Sequence, residues 1–154
     1  LHDGRARRNR TARAGGALST TARYLLDTDT CIYLIKNKPL AVARKLARLP
    51  AGHAGMSVIT YGELWRGVQK SQHAERNAVA LASLITILPV QPLTAEAGAH
   101  YGDIRSALER AGKPIGNNDL WIAAHARAMG WTLVSNNERE FSRVSDLRLQ
   151  NWAK

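Results

Sequence analysis

From Arg23 onward, short apolar runs alternate with longer stretches whose apolar residues recur at helical spacing, and that alternation predicts an α/β chain. Tyr24-Leu25-Leu26 ends on Asp27 and reads as a strand, followed by a helix over Thr28–Lys36. Pro39 breaks it from a second helical stretch closing near Pro50. Ala54-Gly55-Met56-Ser57 is a short strand candidate, after which Tyr61, Leu64, Trp65 and Val68 fall at the i, i+3, i+4 and i+7 positions of an amphipathic helix. Another helix is expected over 74–83. Leu84-Ile85-Thr86-Ile87-Leu88 is rich in branched residues, closes on Pro89 and reads as a strand. Thr94–Ala111 is predicted helical up to Gly112, and Asn117 or Asn118 is expected to cap a helix running through Ala128 to a stop at Gly130. Thr132-Leu133-Val134-Ser135 is the last main strand, with Leu147–Leu149 as an added edge strand.

At 154 residues the chain suits one domain, and 45% hydrophobic with 22% charged residues place it among globular rather than disordered chains. No run approaches the roughly 18 apolar residues that a membrane span needs. The single cysteine, Cys31, excludes an internal disulfide framework, so a reducing cytoplasm fits best. Net charge is +10, which favours a polyanionic partner such as nucleic acid. Residues 1–23 hold six arginines and one acid, so +5 of that charge belongs to this segment. Residues 1–22 lack apolar period and read as a solvated basic extension, with no apolar core for a secretory signal; the folded domain is expected over 23–154. The chain opens on Leu1, which points to a truncated sequence, an unusual start codon or an over-long reading frame.

The placement of acids is the most informative feature. Asp27 ends a strand, while Glu63 and Asp119 fall in the predicted first turns of helices. In a parallel sheet with right-handed crossovers, strand ends and the helix starts that follow them share one edge, where such folds bind ligands. Each acid also has a local explanation. Asp27 and Asp119 suit the start of a helix, and Thr60 with Glu63 matches a capping box. If the carboxylates converge instead, their repulsion calls for a cation, and magnesium, which takes oxygen ligands beside substrate phosphate, is the natural one. It would orient water and stabilise charge during attack on a phosphodiester.

Four segments resemble the PIN-domain ribonucleases, and within them the VapC-type toxins of type II toxin–antitoxin modules. They are Leu25-Leu26-Asp27-Thr28-Asp29-Thr30-Cys31-Ile32, Ser57-Val58-Ile59-Thr60-Tyr61-Gly62-Glu63-Leu64, Ile115-Gly116-Asn117-Asn118-Asp119-Leu120-Trp121-Ile122-Ala123-Ala124-His125 and Leu133-Val134-Ser135-Asn136-Asn137-Glu138-Arg139-Glu140-Phe141. The resemblance implies a three-layer α/β/α domain around a mostly parallel sheet of four to five strands. It implies Mg2+-dependent hydrolysis of structured RNA such as tRNA or rRNA, with Mn2+ as substitute. The implied partner is a cognate VapB-type antitoxin, joined to a homodimer of the toxin in a hetero-oligomer, with no membrane involved. Asp27, Glu63 and Asp119 match the family's catalytic acids, and Asp27 and Asp119 its principal metal ligands. The fourth family acid falls on Asn137, a neutral and weaker ligand, which favours one metal over two. Thr28, Asp29 and Ser57 stand beside these positions as auxiliary candidates or local caps. His125 is expected to be a packed residue. Arg66, Lys70, Arg105, Arg110 and Lys113 are candidate phosphate contacts that are equally ordinary exposed cations.

Two other classes fit parts of the pattern. Asp27-Thr28-Asp29 imitates the opening of haloacid-dehalogenase-like phosphatases, although no two acids are adjacent anywhere in the chain. A non-catalytic basic nucleic-acid-binding module would explain the charge and Asn137 but not the three retained acids.

Overall fold

The computed structural model describes residues 22–154. The solvated extension expected over 1–22 lies, apart from Ala22, outside the described residues. Strands β1 (Tyr24–Leu26), β2 (Ala54–Ser57), β3 (Val90–Gln91), β4 (Thr132–Val134) and β5 (Leu149–Gln150) form one sheet in the order β3-β2-β1-β4-β5. Every pairing is parallel, with Leu25 opposite Gly55 on one side and Leu133 on the other. The helices are α1 (Thr28–Lys36), α2 (Leu40–Ala47), α3 (Val58–Lys70), α4 (Ala74–Ile87), α5 (Ala95–Arg110), α6 (Asn117–Met129) and α7 (Glu138–Phe141).

Successive strand side chains point to opposite faces, and the two cores follow from that. Leu25 and Leu133 pack with Ile104, Leu108, Ile122 and Phe141 under α5, α6 and α7. Leu26 and Val134 pack with Val42, Met56, Leu64, Leu81 and Leu88 under α1 to α4. The result is the expected three-layer arrangement. The chain moves outward from β1 through β2 to β3, then returns to place β4 on the other flank of β1. The order therefore reverses at β1 and β4, and the crevice beyond their carboxyl ends is where a doubly wound sheet accepts ligands.

Several local expectations are corrected. Leu84–Leu88 is not a strand: α4 runs on to Ile87, and only Val90–Gln91 pairs with β2. Leu81, Leu84 and Leu88 are buried at helical spacing while Ile87 is 60% exposed, so burial of one stripe overrides the β preference of branched residues. The lead-in to β3 also needs Gly55, since a Cβ there would stand 2.9 Å from the Pro89 carbonyl oxygen that accepts from the Met56 N–H. Helix α3 starts at Val58 under a cap from the Ser57 hydroxyl, so no capping box forms and Glu63 lies in the second turn. Its apolar stripe is narrower than predicted, with Leu64 and Val68 buried and Trp65 exposed. Asn117 opens α6 instead of capping it, the cap position being Gly116, and Gly130 closes it at a φ of +68°. The edge strand is Leu149–Gln150 in place of Leu147–Leu149. Among the described residues, no helix is long and apolar enough to cross a membrane.

Candidate active site

The crevice at the β1/β4 reversal is built around Asp27. It follows the last residue of β1, is 5% exposed and caps α1, its Oδ1 accepting from the Thr28 N–H at 2.8 Å. Its Oδ2 accepts from the Ser135 hydroxyl at 2.7 Å, just past β4. That hydroxyl oxygen in turn accepts from the Asn137 N–H at 2.9 Å, so the ends of two adjacent strands are tied at one carboxylate. Thr28 reaches the other way: its hydroxyl donates to Glu63 Oε1 at 2.7 Å and joins α1 to α3, with the Thr60 hydroxyl 3.3 Å away. Asp29 accepts from the Asn136 N–H at 3.2 Å and from the Thr30 hydroxyl at 3.1 Å, securing the loop after β4.

Asp119 arrives from the first turn of α6, half-buried, with Oδ2 only 3.6 Å from where a Cβ on Gly116 would stand. Glu140 arrives from α7, where the Asn137 side-chain amide donates to its Oε2 at 3.0 Å.

The electrostatics show that these carboxylates crowd one another. Burial pushes the Asp27 pKa up to about 7; repulsion from Asp29 and, more weakly, Asp119 adds to the rise, and the bonds from Ser135 and Thr28 oppose it. Asp119 rises to about 6, again through burial first, then a proton shared with Glu140 and the charges of Glu140, Glu63 and Asp29. As placed, no three Asp, Glu, His or Cys side chains among the described residues stand close enough to grip one ion. The donor chemistry nevertheless fits a hard divalent cation: the cluster offers oxygen alone, and among the described residues no Lys or Arg forms an ion pair with it. Each carboxylate oxygen that accepts one hydrogen bond keeps lone-pair capacity for another ligand.

The structure thus brings Asp27, Asp29, Glu63 and Asp119 into one electrostatic neighbourhood, with Thr28 bridging two of its elements. Ser57 is held apart: it is fully buried, caps α3 through Ile59 and binds His125 Nδ1 at 2.8 Å. His125 is a fully buried core residue whose pKa burial lowers. Sequence reasoning missed Ser135 and Glu140. The signal for Glu140 was its place one helical turn after Asn137, where a short helix turns both side chains to the same side. The signal for Ser135 was a hydroxyl at the end of the strand beside β1.

The chain matches the PIN domain family over residues 24–147. It is 47% identical over 133 residues to "Ribonuclease VapC2" of Haemophilus influenzae, covering 84% of this chain and 98% of that protein. It is 42% identical over 131 residues to "tRNA(fMet)-specific endonuclease VapC" of Shigella flexneri, covering 85% and 98%. The solved structure of VapBC-1 from nontypeable Haemophilus influenzae superposes with a TM-score of 0.80 at 40% identity, covering 85% of this chain and 98% of that one.

Proposed function

Because the chain belongs to the PIN-domain family and, within it, to the VapC-type ribonucleases, we propose that it is the toxin of a type II toxin–antitoxin pair, an endoribonuclease cutting structured RNA. The observation that carries this reading is the gathering of Asp27, Glu63 and Asp119, from segments far apart in sequence, at the sheet's reversal point, where Asp119 adds to the rise in the Asp27 pKa and Glu63 to that of Asp119. Family membership replaces the phosphatase and the metal-independent binding module as readings of the same residues. The Shigella relative's name makes tRNA(fMet) the first substrate to try. We assign the cytoplasm, where such RNA resides, as its site of action.

The cofactor is a divalent metal ion, and we assign magnesium, with manganese as substitute. Asp27 and Asp119 would hold it, with Glu63 contributing directly or through water. When bound, the ion supplies Lewis acidity and charge neutralisation beside the scissile phosphodiester. The chain's own residues set the frame. Ser135 and the Thr28 N–H fix both oxygens of Asp27, and the Thr28 hydroxyl fixes Glu63. Asn137, at the position of the fourth family acid, turns its amide onto Glu140, so Glu140 fills in space the acidic role that Asn137 lacks in sequence.

The partner is a VapB-type antitoxin, joined to a homodimer of this chain. An apolar groove of about 700 Å3 between α1–α2 and α4, lined by Leu34, Ile35, Leu46, Leu49 and Ile87, is the surface we assign to it. Lys36, Lys38, Arg44, Lys45 and Arg48 lie in sequence next to or near the groove-lining residues of α1 and α2, and no acid occurs between Asp29 and Glu63. An amphipathic antitoxin helix with acidic edges complements that surface.

The test is RNA cleavage by purified protein with magnesium and with chelator. Asp119→Asn is expected to lose at least about a hundredfold in rate while keeping the wild-type circular dichroism spectrum. Wild-type turnover by Asp119→Asn would refute the assignment.

A further inference from the structure

Between the C-terminal half of α5 and the start of α6 lies a cleft of about 280 Å3, with Leu108 and Ile115 in its apolar floor and Arg105, Glu109 and Asn117 on its walls. Ile115 and Asn117 line the cleft, and Gly116 between them stands beside Asp119, whose Oδ2 would lie 3.6 Å from a Cβ there, so the α6 rim of the cleft adjoins the acid cluster. The polar wall is organised. Tyr101 stacks on Trp121 with centroids 3.9 Å apart, and its hydroxyl lies between two side chains. Arg105 Nη1 donates to that hydroxyl at 2.8 Å, and the hydroxyl donates to Asn117 Oδ1. With Oδ1 engaged, the Asn117 amide presents its NH2 group away from Tyr101. Arg105 Nε is 3.7 Å from Glu109 Oε1, a half-exposed pair worth little. The guanidinium has five N–H donors, of which the bond to Tyr101 uses one. Gly116 caps α6 without a side chain.

An acid centre repels the phosphates on either side of the bond it attacks, and a fixed cation beside it offsets that repulsion. Arginine suits the task because its planar fork matches phosphate oxygens in pairs. We propose that this cleft is a nucleotide subsite: it receives the RNA nucleotide adjoining the scissile phosphodiester, with Arg105 and the Asn117 NH2 on the phosphate and the base against the apolar floor. Arg105 then touches the substrate directly, and Tyr101 is the positioning residue that holds it in register with the start of α6. The inference rests on the ribonuclease reading above.

The experiment measures RNA cleavage, and RNA binding to the inert Asp119→Asn protein over a salt series, with and without Arg105→Ala. Arg105→Ala is expected to raise KM and the RNA Kd roughly tenfold, leave kcat within about twofold, and reduce the slope of log Kd against log salt by about one. Arg105→Lys should restore the slope but only part of the affinity. Tyr101→Phe, which keeps the Trp121 stack, should raise KM in the same direction. Unchanged KM, Kd and slope in Arg105→Ala overturns the subsite, as does a loss confined to kcat or an effect on antitoxin affinity alone. Arg105 is half exposed, so its replacement leaves the fold in place, which thermal melting checks. Failure of the wild-type protein to cleave any RNA would count against the ribonuclease reading instead.

Discussion

Asp27 combines two duties that pull in opposite directions. As the cap of α1 and acceptor of the Ser135 hydroxyl it is a structural tie; as a buried acid among acids it resists ionisation, its pKa raised from 3.8 to about 7. A carboxyl group that holds its proton more tightly in the folded chain stabilises the fold below its unfolded pKa, and that contribution is lost as pH rises through the folded value. The window here runs from 3.8 to about 7, and Asp119, raised to about 6, has the same sign. In chelator, the wild-type protein is therefore expected to melt at a lower temperature near pH 8 than near pH 5 on account of these groups. Asp27→Asn, which cannot ionise, should flatten that dependence, and magnesium should flatten it in the wild type. Identical melting curves against pH for the two metal-free proteins would show that Asp27 is not the strained acid described here.

The elements differ in how openly the sequence declared them. The β1 run and Asp27 were legible because a three-residue apolar strand ending in an acid has one period and one boundary. The C-terminal stop of α6 was legible because Gly130 alone supplies the left-handed residue that closes it. Leu84–Leu88 was not, since a short apolar run fits a buried strand and a helix face alike, and the decision is made by Leu81, Leu84 and Leu88 meeting a core that includes residues far away in sequence. Within the site, Asp27, Glu63 and Asp119 stood at readable positions. Glu140 did not, because it comes from a four-residue helix and meets Asp119 only in the folded chain. The helical assignment of this stretch makes a direct prediction. Leu84→Ala should cost about 2–5 kcal/mol in chemical denaturation, whereas Ile87→Ala should stay within about 1 kcal/mol. Equal costs at the two positions would mean that both face the core, as no single helix stripe allows.

At the scale of the described molecule, the proposed function divides the surface between an acid crevice and an apolar groove. Helix α1 spans both: its first turn carries Thr28 and Asp29 in the acid crevice, and its last turns carry Leu34 and Ile35 on the groove. A segment seated in the groove therefore rests on the same nine-residue helix that frames the crevice. Helices α1 and α2 also carry Lys36, Arg44 and Lys45 next in sequence to groove-lining residues, the charge on which the proposed antitoxin contact draws. The separation of groove from crevice is testable at Ile87, which is 60% exposed and lines the groove far along the chain from every acid of the centre. Ile87→Asp puts a charge in the apolar wall and should weaken the cognate antitoxin by at least about tenfold, measured by calorimetry, while RNA cleavage by the free toxin proceeds at the wild-type rate. In cells, the variant should escape neutralisation at antitoxin levels that silence the wild type. Unchanged antitoxin affinity would remove the groove from the interface and leave the acid crevice itself as the surface where inhibition acts.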